Sequence, residues 1–136
     1  MHQFKTSSSP ARPHREFFAI RPHDNDTRWT PVAASHGRID EIILSDNLDA
    51  ATGRGSRTRL ARWSAGALIN RPVVHDFFEE VFIVEGDLVV GCDAKGQGGE
   101  RFGAYTFACR PPGAVHGPFV SRGGCVMLEF QYYSAL

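Results

Sequence analysis

A chain of 136 residues carrying fifteen Lys plus Arg against fifteen Asp plus Glu has no net charge at pH 7, so no overall field draws it to nucleic acid or to an anionic membrane surface. It is long enough for one domain with a single core. No apolar run could span a bilayer, and the opening MHQFKTSSSPARPHR lacks the apolar centre of a secretory signal; a soluble cytoplasmic protein is expected.

Taken in chain order, residues 1–16 read as a flexible tail and 17–136 as one domain. No window shows an apolar period of three to four residues at helical length, whereas β-branched and aromatic runs recur between Gly, Pro, Asn and Asp clusters, an all-β pattern. Strands are predicted at 16–20, 27–33, 38–46, 57–65, 79–86, 87–93, 104–110, 117–121 and 125–133. That many short strands in a small domain point to a barrel or a two-sheet sandwich, in which closure removes exposed edges. EGDL (85–88) and SRGG (121–124) are predicted to be hairpin turns in which Gly supplies positive φ. NLDAATGRGS (47–56) and DAKGQGGERFG (93–103) read as exposed loops, and neither has the ending or the following helix of a phosphate loop. Cys92, Cys109 and Cys125 form neither a CxxC pair nor an even set. Reduced, buried thiols are therefore expected, with Cys109 the one placed to line a site.

Of six histidines, His2, His14 and His23 fall in the polar start and are expected to be solvated. His75 and Glu79 are four apart, so on an extended chain they share a face, while Glu80 has the opposite parity and is expected at the surface. In CRPPGAVHGPF (109–119) a Pro-Pro-Gly turn ends one strand and presents His116 at the start of the next. A barrel can bring His116 across to His75 and Glu79. Two imidazoles and one carboxylate suit Fe(II), with Mn, Ni, Co and Zn as competitors, and leave positions for water or substrate. His36, on an expected strand edge, is a further candidate from a neighbouring strand. Phe77, Val81 and Phe107 are expected to wall the cavity, Arg59 could fork onto a substrate carboxylate, and Tyr105 or Tyr132 could offer a phenol.

These residues resemble the cupin superfamily, whose first motif runs G-x5-H-x-H-x3-4-E-x6-G and whose second runs G-x5-P-x-G-x2-H-x3-N. Gly86, Glu79 and His75 match the end of the first motif, and Pro111, Gly113 and His116 match the second. The resemblance covers roughly residues 57–133. The sequence departs from it at Val73, where the family has its first histidine, at Gly66 and Gly103, which stand off the pattern's spacing, and at Val120 in the Asn slot. The resemblance implies a double-stranded β-helix, the cupin jelly-roll barrel. It also implies a divalent metal held by His75, Glu79 and His116 with no separate protein base, and a homodimer paired through its sheets. Its members of this size include dioxygenases, so the expected function is Fe(II)-dependent, dioxygenase-like chemistry on a small carbonyl or enol compound. The alternatives are a non-catalytic cupin module binding a small molecule or metal, and a metal-assisted isomerase or lyase acting on a sugar acid.

Overall fold

The strand Phe78–Gly86 shows how this sequence folds: Glu79, Val81 and Ile83 are buried while Phe78, Glu80 and Phe82 between them are only partly covered. This alternation of period two sets one face of the strand against a core. The computed structural model describes residues 12–134, and their strands are β1 (Thr30–Pro31), β2 (Ile39–Asp46), β3 (Ser56–Trp63), β4 (Ala67–Ile69), β5 (Phe78–Gly86), β6 (Leu88–Val90), β7 (Glu100–Phe102), β8 (Phe107–Arg110), β9 (Phe119–Ser121) and β10 (Cys125–Tyr132). They form a six-stranded sheet in the order β1-β2-β3-β10-β5-β8 and a four-stranded sheet in the order β4-β9-β6-β7, all antiparallel. No helix among the described residues is long and apolar enough to cross a membrane.

The core lies between the sheets, with Ile39, Ala61, Trp63, Val81, Ile83 and Met127 from the larger sheet meeting Ala67, Leu88 and Phe119 from the smaller. Trp63 and Phe119 meet edge to face at 6.4 Å, an arrangement that sets the positive edge of one ring against the negative face of the other. A smaller cluster of Val89, Cys92 and Val120 packs with Leu68.

Seven of the nine predicted strands correspond to ladders of similar position, though 87–93 and 104–110 shorten to β6 and β8. The predicted strand at 16–20 does not form. The segment lies on the surface instead, where the Phe18 ring packs with the guanidiniums of Arg15 and Arg28. The strand predicted at 27–33 shrinks to two residues, bounded by a turn in which Trp29 N–H donates to the Asp26 carbonyl and one in which Ser35 N–H donates to the Val32 carbonyl. β4 and β7, three residues each, carry too few positions to show a period; β7 lies within a stretch expected to be loop. Cys92 and Cys125 are buried as expected, but Cys109 is exposed, because it stands on the outward parity of β8.

The two predicted hairpins are corners between sheets instead. β5 and β6 belong to different sheets, as do β9 and β10, so each tight turn carries the chain across the barrel. The corners also bind one another. The Asp87 carboxylate, buried, accepts from the backbone N–H of Gly123 at 2.8 Å and of Arg122 at 3.2 Å, and the Ser121 hydroxyl donates to the Asp87 carbonyl at 2.6 Å. Gly86 has φ +84°, and a Cβ there would stand 2.0 Å from the Gly124 carbonyl oxygen, so the corner requires glycine. Gly86→Ala is predicted to destabilise the fold by about 3 kcal/mol or more through strain and clash, and Asp87→Ala by about 2 kcal/mol through two orphaned amides. Urea unfolding midpoints measure both losses.

Candidate metal centre

Glu79, only 5% exposed, is the group around which this end of the barrel is built. In the sheet register it stands opposite Arg110 on β8 and Gln131 on β10. Arg110 donates to its Oε1 at 3.3 Å and the Gln131 amide to its Oε2 at 2.8 Å. A buried carboxylate without such partners would cost several kcal/mol, and these two donors also fix where its oxygens point.

Both histidines reach Glu79 from loops. His116 is held by a two-way backbone bridge with Val73, Val73 N–H to His116 carbonyl at 2.7 Å and the reverse at 2.9 Å. Its Nδ1 lies 3.0 Å from the Ala114 carbonyl. A carbonyl only accepts, so Nδ1 carries the proton and Nε2 turns its lone pair inward, 3.7 Å from Glu79 Oε1. Burial, the largest influence on this ring, pushes His116 below its usual pKa and favours the neutral form that a metal needs. His75 Nε2 lies 3.7 Å from the other oxygen, Oε2. The shared face expected from strand parity is not the cause, because the chain bends at Asp76–Phe77 and β5 starts only at Phe78. His75 is placed instead by stacking on Phe77 at 4.5 Å and by its carbonyl, which accepts from Gly113 N–H at 2.9 Å. Phe77 in turn meets the edge of Tyr133, whose hydroxyl donates to Asp76 at 2.9 Å.

One donor atom from each of His75, Glu79 and His116 lies within 4.8 Å of the others. Donors about 2.1 Å from a common divalent ion lie at most about 4.2 Å apart, so the set fits an ion after a small contraction. The separations of 3.7 Å are too long for hydrogen bonds, so neither imidazole Nε2 is tied to Glu79 by one. The three residues could hold a divalent metal ion, and Gln131 and Arg110 are the outer partners that orient its carboxylate ligand.

The donors open into a cavity of about 210 Å³ whose remaining wall is mostly apolar, including Ile39, Trp63, Val73, Val81, Phe119 and Met127. Val73, in the position of the family's first histidine, thus contributes side-chain surface here and no donor. Arg59 does reach the cavity but is engaged by the carboxylates of Glu129 and, at 2.6 Å, Glu41. Burial pushes the Glu129 carboxyl up and Arg59 opposes that shift. Val81 lines the cavity as expected, whereas Phe77 acts behind His75. Phe107 is 61% exposed, on the outward parity of β8. His36 sits in an exposed turn at φ 55°, away from these residues, because the chain reverses before β2 begins. Tyr105 is 82% exposed and Tyr132 donates to Glu80, so neither phenol enters the site, and Glu80 faces outward as its parity predicts.

Arg110, Gln131 and Glu129 are functional neighbours that the sequence reading missed. A signal existed for two of them: Cys125, Met127, Glu129 and Gln131 share the inward parity of β10, and two polar residues on a core face call for partners. A larger groove of about 550 Å³ lies at residues 22–25 and the two corners, but its side chains already pair, His23 with Glu85 at 2.6 Å and Arg62 with Asp40 at 3.1 Å. It holds no converging donors like those at Glu79.

No protein-family model matches the chain, and no curated protein does. Solved structures do. An RmlC-like cupin from Shewanella frigidimarina superposes with a TM-score of 0.60 at 16% identity, covering 89% of this chain and 94% of its own. KdgF from a Halomonas species gives 0.59 at 18% identity, with 90% and 97% covered. An acetylacetone dioxygenase from Acinetobacter johnsonii gives 0.61 at 17% identity, with 89% and 77% covered. Two antiparallel sheets closed by inter-sheet corners, matched over 77% to 97% of the length of these structures, make this chain a cupin in fold.

Proposed function

We propose that the chain is a metal-dependent, dioxygenase-like enzyme acting on a small carbonyl or enol compound, with Fe(II) held by His75, Glu79 and His116. The observation that carries this reading is the convergence of two imidazole nitrogens and one oriented carboxylate at the wall of a largely apolar cavity. When bound, Fe(II) supplies Lewis acidity toward a chelating oxygen and one-electron chemistry toward dioxygen. The protein's own part is positioning: Ala114 fixes the His116 tautomer, Gln131 and Arg110 hold the carboxylate, and Val73, Val81 and Phe119 keep water from the substrate's carbon skeleton. Similarity in fold to an acetylacetone dioxygenase supports the choice of a β-diketone as the first substrate to test.

A second reading, a binding module without turnover, is favoured by one observation. Glu79 already has a protein cation in Arg110, and Val73 removes a fourth donor. Oxygen uptake separates the two. Loaded with Fe(II), the protein is predicted to consume oxygen with acetylacetone or related diketones and enols; no uptake across that panel, with metal retained, excludes the oxygenase.

Metal content tests the ligand set itself. The protein is predicted to carry about one metal per chain after reconstitution. His116→Ala should lose it while keeping the far-ultraviolet circular dichroism of the parent, and unchanged metal in that variant overturns the assignment. Gln131→Leu, nearly isosteric, should weaken metal binding by about 10- to 100-fold without abolishing it.

We also propose pairing of two chains through the outer face of the six-stranded sheet. Leu60, Leu128, Phe82 and Phe107 lie in one cross-strand row there, with Leu128 and Phe107 exposed. Such a row is an association surface once a partner covers it. Leu128→Glu combined with Phe107→Glu is predicted to give a monomer by light scattering where the parent is a dimer.

A further inference from the structure

A second cavity, also about 210 Å³, lies beside the first. Val81, Leu88 and Arg110 line both, so these three side chains form a shared wall. Beyond them the second cavity is bounded by Ile83, Val90, Phe102, Phe107 and Ala108. Its one hydroxyl, Thr106, is satisfied by donating to the Gly103 carbonyl at 2.7 Å, and Arg110 is its only charged lining residue. Nothing there offers a free polar group to a ligand, and its apolar wall suits a hydrocarbon.

Arg110 belongs to both spaces. Its guanidinium donates to Glu79 at 3.3 Å and stands 5.2 Å from the centre of the Phe119 ring, and the residue also lines the apolar cavity. Val81 and Leu88 are buried apolar side chains, so Arg110 is the polar member of this wall. Glu79 and Glu129 line the first cavity beside Arg59 and Arg110, and Glu41 pairs with Arg59 from outside that lining. A divalent cation at Glu79 would take over the neutralisation of Glu79 that Arg110 provides.

We propose that the ligand of this site is a small carbonyl or enol compound that binds as a monoanion and bears an apolar chain: Arg110 pairs with its anionic group at the junction, and the chain occupies the second cavity. The release of Arg110 from Glu79 rests on the metal reading above; the apolar cavity does not. Arg110 thereby acts as a specificity residue, selecting anionic over neutral head groups.

Unbranched carboxylates of two to eight carbons and the matching primary alcohols serve as probes, measured by calorimetry on the full chain after reconstitution with Ni(II) and on the metal-free protein. Affinity should rise by about fourfold for each methylene buried, and the carboxylate should exceed the alcohol of equal length by about tenfold in the metal-loaded protein. Ala108→Phe, or Val90→Phe should the first fail to fold, should remove the advantage of octanoate over butanoate while leaving metal content and butanoate affinity unchanged. Arg110→Met should erase the preference for carboxylate over alcohol and retain the chain-length gain. Equal affinity for butanoate and octanoate, or equal weakening of both by the cavity-filling variant, overturns the second cavity as the chain site. A carboxylate preference that survives Arg110→Met overturns the anchor. A chain-length gain in the alcohols with no metal retained leaves the chain site standing while the metal reading falls.

Discussion

A carboxylate buried inside a protein must find positive charge and hydrogen-bond donors or give up its ionisation. Glu79 sets that demand, and the sheet register answers it. Because Glu79 stands opposite Arg110 on one side and Gln131 on the other, one strand pairing supplies a cation and the next an amide. A shift of one residue in either ladder would turn those partners to the outer face and leave Glu79 unsatisfied. The same register points Val81 and Ile83 inward, so the polar site and the apolar core select one alignment together.

Along the long strands of the larger sheet, the inward positions change character from one end to the other. On β10 they run Cys125, Met127, Glu129, Gln131, and on β3, read the opposite way, Trp63, Ala61, Arg59, Arg57. Since these strands are antiparallel and paired residue for residue, their apolar ends coincide and so do their polar ends. The result is a barrel with a packed base and a charged mouth. The base supplies burial, and the mouth collects His75, His116, Glu79, Arg110 and the Arg59 network where loops can reach them. Placing ionisable groups on strand ends keeps their geometry more rigid than loops alone would.

The sequence made the long strands and Glu79 legible because alternation is a local signal: β2, β3, β5 and β10 each span at least eight residues, enough to show a period of two. It also pointed to His75 and His116 through motif spacing. It missed whatever depends on contacts far apart in the chain. Arg110 and Glu79 are paired by register, and no local pattern marks Arg110 as inward on a four-residue strand. Short ladders such as β4 and β7 owe their existence to neighbours. The corners at 85–88 and 121–124 look like hairpin turns because tight reversals use the same residues either way; only the partner of the following strand decides between hairpin and crossing.

Val73 and Arg110 describe a single electrostatic choice. Replacing a histidine donor by valine takes one neutral ligand from the site and leaves the charges untouched, so the carboxylate becomes a larger share of whatever holds a cation there. Arg110 then opposes the cation by Coulomb repulsion and competes for the same oxygen, Glu79 Oε1, that faces His116. Were a cation to enter, the guanidinium would have to yield part of that contact, most readily to an arriving anion. A cation and an anion bound as proposed would then favour each other through one shared side chain, a coupling that reciprocity requires to act equally in both directions.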